Sequence, residues 1–219
     1  MAGEGRQYVW DIPTRLFHWL LVALIGFSWW SAENRYMDWH TWSGLTVLGL
    51  VAFRILWGIF GTGTARFSQF VKGPRSAIAY LRGRSEESVG HNPIGGWSVV
   101  ALLLTLVTQV TTGLFSVDVD GIDSGPLSYL VDFDQGRIAS EIHHISFTVL
   151  QVLVAVHVLA ILFYLVAKRR NLTAAMFTGF QKLGASEPVE IIRARWWQLL
   201  IAIVAAAGLA MWIAYGAPL

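Results

Sequence analysis

Glu141-Ile-His-His-Ile-Ser-Phe-Thr-Val-Leu-Gln-Val-Leu-Val-Ala-Val-His-Val158 decides the fold. The stretch is apolar and, continued to Ala167, long enough to cross a bilayer as a helix. It carries histidine at two depths: His143 and His144 near its start, His157 well inside. Ionisable side chains within a membrane are costly and are functional candidates by default. At 1.5 Å rise per residue the two levels are about 20 Å apart. That separation predicts two stacked cofactor sites, with partners supplied by other helices.

The rest of the chain fits this setting. Of its 219 residues 55% are hydrophobic and only 14% charged, and the mean hydropathy is +0.53, outside the range of ordinary soluble domains. Five segments are apolar and long enough to span: residues 14–31, 39–60, 96–116, 143–167 and 196–215. In lipid each must be helical. The predicted class is an all-α membrane protein with a four-helix transmembrane bundle in residues 1–170. Residues 171–219 form a connection and a fifth C-terminal transmembrane helix. That helix lacks His, Asp and Glu, which puts it at the periphery. The first seven residues contain no apolar run before the first span, so that span reads as retained, not as a signal peptide. Cysteine is absent, which excludes disulfides, thiolate zinc, iron–sulfur clusters and covalently attached haem.

Eleven tryptophans suit two aromatic belts. Thirteen of the sixteen Lys and Arg fall before or at the mouth of the first span, between the second and third, or between the fourth and fifth. The positive-inside rule makes that side cytoplasmic. The N-terminus is then inside and Ala217-Pro218-Leu219 outside, in a bacterial inner membrane. The pI of 9.1 follows from this topology and not from nucleic-acid binding. The outer connection carries Asp118, Asp120, Asp123, Asp132, Asp134 and Glu141 against Arg137. It suits a basic periplasmic partner such as a small cytochrome c, although orientation alone also leaves outer loops acidic. Its apolar 126–131 stretch predicts that it folds back on the helix ends. Residues 74–82 read as a short amphipathic helix along the inner interface.

Depth pairs the histidines. His40 opens the second span from outside, level with His143 and His144; His18 lies early in the first span, level with His157. By helix phase His144 and His157 are about 140° apart, whereas His143 and His157 are about 40° apart. Phase and depth leave open which of the adjacent pair faces His40. Facing imidazoles at one depth suit haem b, whose iron takes two axial nitrogens between bundle helices. Zinc and proton relays would call for carboxylates that the spans lack. Gly44, a turn after His40, and Gly49 offer room beside a flat macrocycle. Arg15 and Arg54 are candidate propionate partners for the inner haem, or else snorkelling cations.

Val9-Trp10-Asp11-Ile12-Pro13-Thr14-Arg15-Leu16-Phe17-His18-Trp19 resembles the opening of bacterial cytochrome b561 proteins and of the related cytochrome b subunits of nickel–iron hydrogenases. Trp39-His40-Thr41-Trp42-Ser43-Gly44 and Phe53-Arg54-Ile55-Leu56-Trp57-Gly58 are similar to the second helix of that family. Gly90-His91-Asn92-Pro93-Ile94-Gly95-Gly96 and Thr112-Gly113-Leu114-Phe115 resemble the third. The resemblance spans about residues 8–170 and implies two b haems on His18, His40, His144 and His157, choosing His144 over His143. His91 sits in a family motif as a quinone or propionate contact, or as a helix-entry cap. The function expected is electron transfer between quinone and a periplasmic cytochrome c, a hydrogenase-type enzyme or superoxide. The competing class is a non-redox helical scaffold or transporter. The sequence also allows a homo-oligomer.

Overall fold

The computed structural model describes residues 6–84, 90–120, 122–182 and 192–217. The first five residues and Pro218-Leu219, both used in the topology reading, lie outside that set. Eight helices appear among the described residues: α1 (Ile12–Glu33), α2 (Met37–Phe60), α3 (Phe67–Phe70), α4 (Pro74–Leu81), α5 (Pro93–Phe115), α6 (Phe133–Val166), α7 (Leu172–Thr178) and α8 (Trp196–Ala214). Five of them, α1, α2, α5, α6 and α8, are long and apolar enough to cross a membrane, and the chain is a helical membrane bundle.

Local chemistry sets where the spans begin. Asp11 caps α1 by accepting the Thr14 N–H at 2.7 Å, with Pro13 in the first turn. Asn92 caps α5 in the same way from Gly95, with Pro93 following. Asp132 and Gln135 form a reciprocal capping box at the start of α6. That cap starts the helix ten residues ahead of the predicted span. Its first turns are polar, so hydropathy hides them. Glu141, His143 and His144 therefore lie about three turns inside α6 and do not open it.

Lipid provides no hydrophobic drive between helices, so close packing depends on small residues and shape. The close pairings are α5 with α6, α1 with α2, α2 with α8 and, less extensively, α2 with α5. On the α2–α8 seam Ala202 is fully buried, and Ala206 joins Phe17, Phe53, Trp57 and Leu103 in one cluster. Gly49 belongs to this seam: a Cβ there would stand 3.4 Å from that of Ala210. It serves α8 and gives no room to a macrocycle. No comparable contact joins α6 to α1 or α2. Side chains bridge that gap, among them Trp29 and Phe147 with ring centres 5.8 Å apart.

The face where α1 begins carries a folded cap that periodicity could not reveal. Strand β1 (Arg6–Tyr8) pairs antiparallel with β2 (Phe180–Lys182), Gln7 opposite Gln181. Each is only three residues long, too short for an alternation signal. Val9 and Trp10 pack on Ala175 of α7. Amphipathic α4 is present where expected, tied to α6 by the Tyr80 and Tyr164 hydroxyls at 2.5 Å. On the opposite face the acidic connection folds back, as its apolar residues predict. Ser140 Oγ accepts the Val117 N–H at 3.0 Å, Leu127 is buried with Leu45, Leu114 and Ile213, and the Tyr129 hydroxyl donates to Gly216 O at 2.7 Å.

Candidate functional site

The outer level is built by α1, α2, α5 and α6. His40 Nδ1 lies 2.9 Å from the Ser28 carbonyl oxygen of α1 and 3.1 Å from its hydroxyl. A carbonyl only accepts, so the proton sits on Nδ1 and the Nε2 lone pair is left for a ligand. The ring facing His40 is that of His143, with centroids 6.0 Å apart and planes at 85°. His143 repeats the arrangement, its Nδ1 donating to the Gln109 carbonyl of α5 at 2.9 Å. Its Nε2 meets the Gln109 side-chain amide at 2.9 Å, and the Ser146 hydroxyl donates to the amide oxygen of Gln109. Gly113 makes the space: a Cβ there would lie 2.9 Å from His143 Cε1.

His144, the residue expected opposite His40, is exposed on another side of α6. The physical reason is phase: α5 takes the α6 side bearing Gly136, Ser140, His143, Ser146 and Leu150, and His144 is turned about 100° from His143. Metal-bound imidazole nitrogens lie about 2 Å from the ion, so two rings sharing one ion have centroids about 6 Å apart. The His40–His143 spacing matches that of two imidazoles on one iron, with the Gln109 amide standing where His143 Nε2 would meet it. The ring protons of both histidines are fixed by carbonyls in the pattern that orients metal-bound histidine. A Cβ at Gly44 would meet nothing within 4 Å, which leaves that face of α2 open.

The inner level gathers His18, His157, His91, Arg15 and Arg54. His18 is half-buried with its Nδ1 enclosed and unpartnered, edge-on to Trp19 at 4.8 Å. An enclosed ring nitrogen without a partner fits a ligand site better than a packing role. His157 of α6 lies within electrostatic reach of both His18 and His91. His91 is buried between Trp10 and Phe70, with ring centres 4.6 and 4.4 Å away. Burial foremost, then the charges of Arg54 and His157, pushes its pKa down to about 3, so its ring is neutral at physiological pH.

Arg15 Nη1 donates to the Phe177 carbonyl of α7 at 2.5 Å, while its Nε is enclosed without a partner. Arg54 is 3% exposed, so it does not snorkel. Its guanidinium donates to Ala65 O at 3.2 Å and lies over the Phe67 ring, 5.0 Å from its centre. The 62–70 loop thus covers it. Among the described residues no three His, Asp or Glu converge as a metal-ion site would need.

Three residues were overlooked in the sequence. Asp11 is buried and accepts from Thr14 N, Trp57 Nε1 at 2.9 Å and Thr62 Oγ1 at 2.6 Å, joining α1 to α2 and its loop. Its signal was the helix-start pattern Asp-Ile-Pro. Gln109 is a polar residue deep in an apolar span, a signal in itself. Ser28 acts through its carbonyl, which no sequence pattern marks.

The model of the prokaryotic cytochrome b561 family matches residues 9–179, taking in every histidine of both levels. Comparison with curated proteins and with solved structures gives no match. Five membrane-length helices, three of them carrying histidines at two depths, and a family match over most of the length agree: this chain belongs to the prokaryotic cytochrome b561 family, membrane proteins that carry electrons through b haem.

Proposed function

We propose that the chain passes electrons across the bacterial inner membrane through two b haems, one between His40 and His143 and one between His18 and His157. The observation that carries this reading is the His40–His143 pair: rings 6.0 Å apart, each with Nδ1 donating to a main-chain carbonyl. Haem supplies the one-electron chemistry when bound. The helices supply axial ligation, spacing and burial. Bis-histidine ligation leaves iron no open position, which favours electron transfer over oxygen chemistry. On α6 the two ligands are fourteen residues, about 21 Å, apart along the axis, so one helix serves both levels.

The basic residues support a cytoplasmic position for α4, α7 and the β1–β2 cap, where quinone exchanges electrons with the inner haem. The acidic, folded outer connection receives a basic periplasmic partner such as a cytochrome c; a hydrogenase-type enzyme or superoxide is the alternative donor at that face. Arg15, with its enclosed Nε, is the propionate partner of the inner haem; Arg54, under its loop, supports the cap over that haem. Gly44 flanks the outer one. The test is a haem count on protein produced with haem available, with reduced-minus-oxidised spectra before and after adding a quinol. Two haems per chain, both reduced by quinol, is the expected result. A chain folded without b-type bands sinks the reading and favours a scaffold or transporter.

A further inference from the structure

The face where α1 begins carries cations that neither histidine level uses, and α4 gathers three of them. Arg75, Ile78, Ala79 and Arg82 follow at steps of three, one and three, so they share one side of the helix. The helix ends in a left-handed turn at Gly83, whose φ is 68°. There the Gly83 N–H donates to Tyr80 O at 3.0 Å and the Arg84 N–H to Ala79 O at 2.9 Å. That turn brings the chain back on itself. Arg84 thereby joins Arg75, Ile78, Ala79 and Arg82 around a hollow of about 240 Å³.

Two ties fix the level of this hollow. The Tyr164 hydroxyl, in the last turn of α6, meets the Tyr80 hydroxyl and accepts from Asn92 Nδ2, the cap of α5, at 2.7 Å. Trp97 Nε1, in the second turn of α5, donates to Lys72 O just ahead of α4 at 2.9 Å. Helix α4 therefore lies where α5 begins and α6 ends, at the boundary between hydrocarbon and water. Tyr80 holds its inner side, and Arg75, Ile78, Arg82 and Arg84 are all exposed. Beside the arginines Ile78 is 48% and Leu81 73% exposed. None of the three guanidiniums has a hydrogen-bond or ion-pair partner among the described residues. The acidic residues next in sequence, Glu86 and Glu87, lie outside those described.

We propose that this hollow binds the phosphate of an anionic phospholipid from the leaflet at this face, with Ile78 and Leu81 against its acyl chains. Guanidinium forks match phosphate oxygens. Three cations around one hollow favour a headgroup with net negative charge over a zwitterionic one. A soluble anion would meet the same arginines but leave both apolar side chains in water. A lipid satisfies both halves of the site. The proposal uses the placement of α4 at the membrane boundary and does not depend on haem content.

The full chain in mixed phosphatidylcholine–phosphatidylglycerol vesicles, labelled with a trace of either lipid in photoreactive form, tests this. Phosphatidylglycerol should label peptides from residues 72–84 in preference to phosphatidylcholine. Arg75→Gln combined with Arg82→Gln should cut that preference about 25-fold, at about fivefold per arginine near a charged membrane surface. Gly83→Val disfavours the left-handed turn that aims Arg84 and should cut it about threefold to fivefold. Arg193→Gln, an exposed cation on the α8 side of the same face, should leave it unchanged. Melting temperatures of the arginine variants in uncharged detergent should match the parent, because no partner inside the chain is lost. Equal labelling by the two lipids, or an equal fall in Arg193→Gln, would overturn the assignment. So would full displacement of the label by inorganic pyrophosphate at constant ionic strength, which would mark a site for soluble anions.

Discussion

At the His40–His143 level both imidazoles are held by main-chain carbonyls, Ser28 on α1 and Gln109 on α5. At the His18–His157 level the Nδ1 of His18 is enclosed without a partner, and its position comes from Trp19 and the cap beyond it. The outer level is therefore preset by backbone that no side-chain substitution removes. The inner level depends on how the loops at its face are packed. A ring proton held by a carbonyl makes the other nitrogen a stronger donor to iron and favours the oxidised state. The outer haem should thus have the lower potential, so quinol acting at the inner level should reduce the inner haem before the outer one.

The largest effects would come from the ligands themselves. His143→Ala or His40→Ala should each remove one haem and the same spectral band, and His18→Ala or His157→Ala the other. His144→Ala should keep both haems; if it loses the outer haem while His143→Ala retains it, the pairing read from ring geometry is wrong. Potentiometric titration of the single-haem variants sharpens the comparison, because the outer haem alone should titrate lower than the inner. Gly113→Leu should act on one level only. Its side chain would take the space of the His143 ring, so outer haem content should fall severalfold with the inner haem intact.

Much of this was legible in the sequence, and what was not has identifiable causes. Span count, histidine depths and the folded outer connection followed from hydropathy, from spacing and from the apolar 126–131 stretch. The start of α6 was missed because three polar turns precede its apolar run, although Asp132 and Gln135 already spelled a capping box. That the His143 ring and not that of His144 faces His40 needed the direction of α5, which a helix wheel cannot give. Gly49 looked like Gly44 in sequence, yet one packs on α8 and the other faces open space. The cap at the inner level was invisible because its strands are three residues long and pair across more than 170 positions.

That cap provides the next test. Asp11 holds the start of α1, the indole of Trp57 and the hydroxyl of Thr62 through one buried carboxylate. Replacing it removes a helix cap and strands two donors, and also takes the nearest opposing charge from buried Arg54. Asp11→Ala should cost about 2–4 kcal/mol of stability, read as a lowered melting temperature. The inner haem should be lost first on heating. Loss of the outer haem first would show that the two levels do not differ in the way their surroundings predict.

The smallest effect is a pH dependence confined to the inner level. Free histidine titrates near 6.5, whereas buried His91 stays neutral down to about pH 3. Between those values the unfolded chain binds a proton that the folded chain refuses, so stability falls as the pH drops from about 6.5 toward 3. Above 6.5 both states are neutral at this ring and the dependence vanishes. The Arg54 cation beside it disfavours the protonated ring further. His91→Phe, set between Trp10 and Phe70, takes no proton in either state. Melting temperatures at pH 7 and pH 5 should therefore differ less in this variant than in the parent, whatever their absolute values. An unchanged difference would mean that another group governs the acid sensitivity, and the contrast between a preset outer level and a loop-dependent inner one would lose its pH signature.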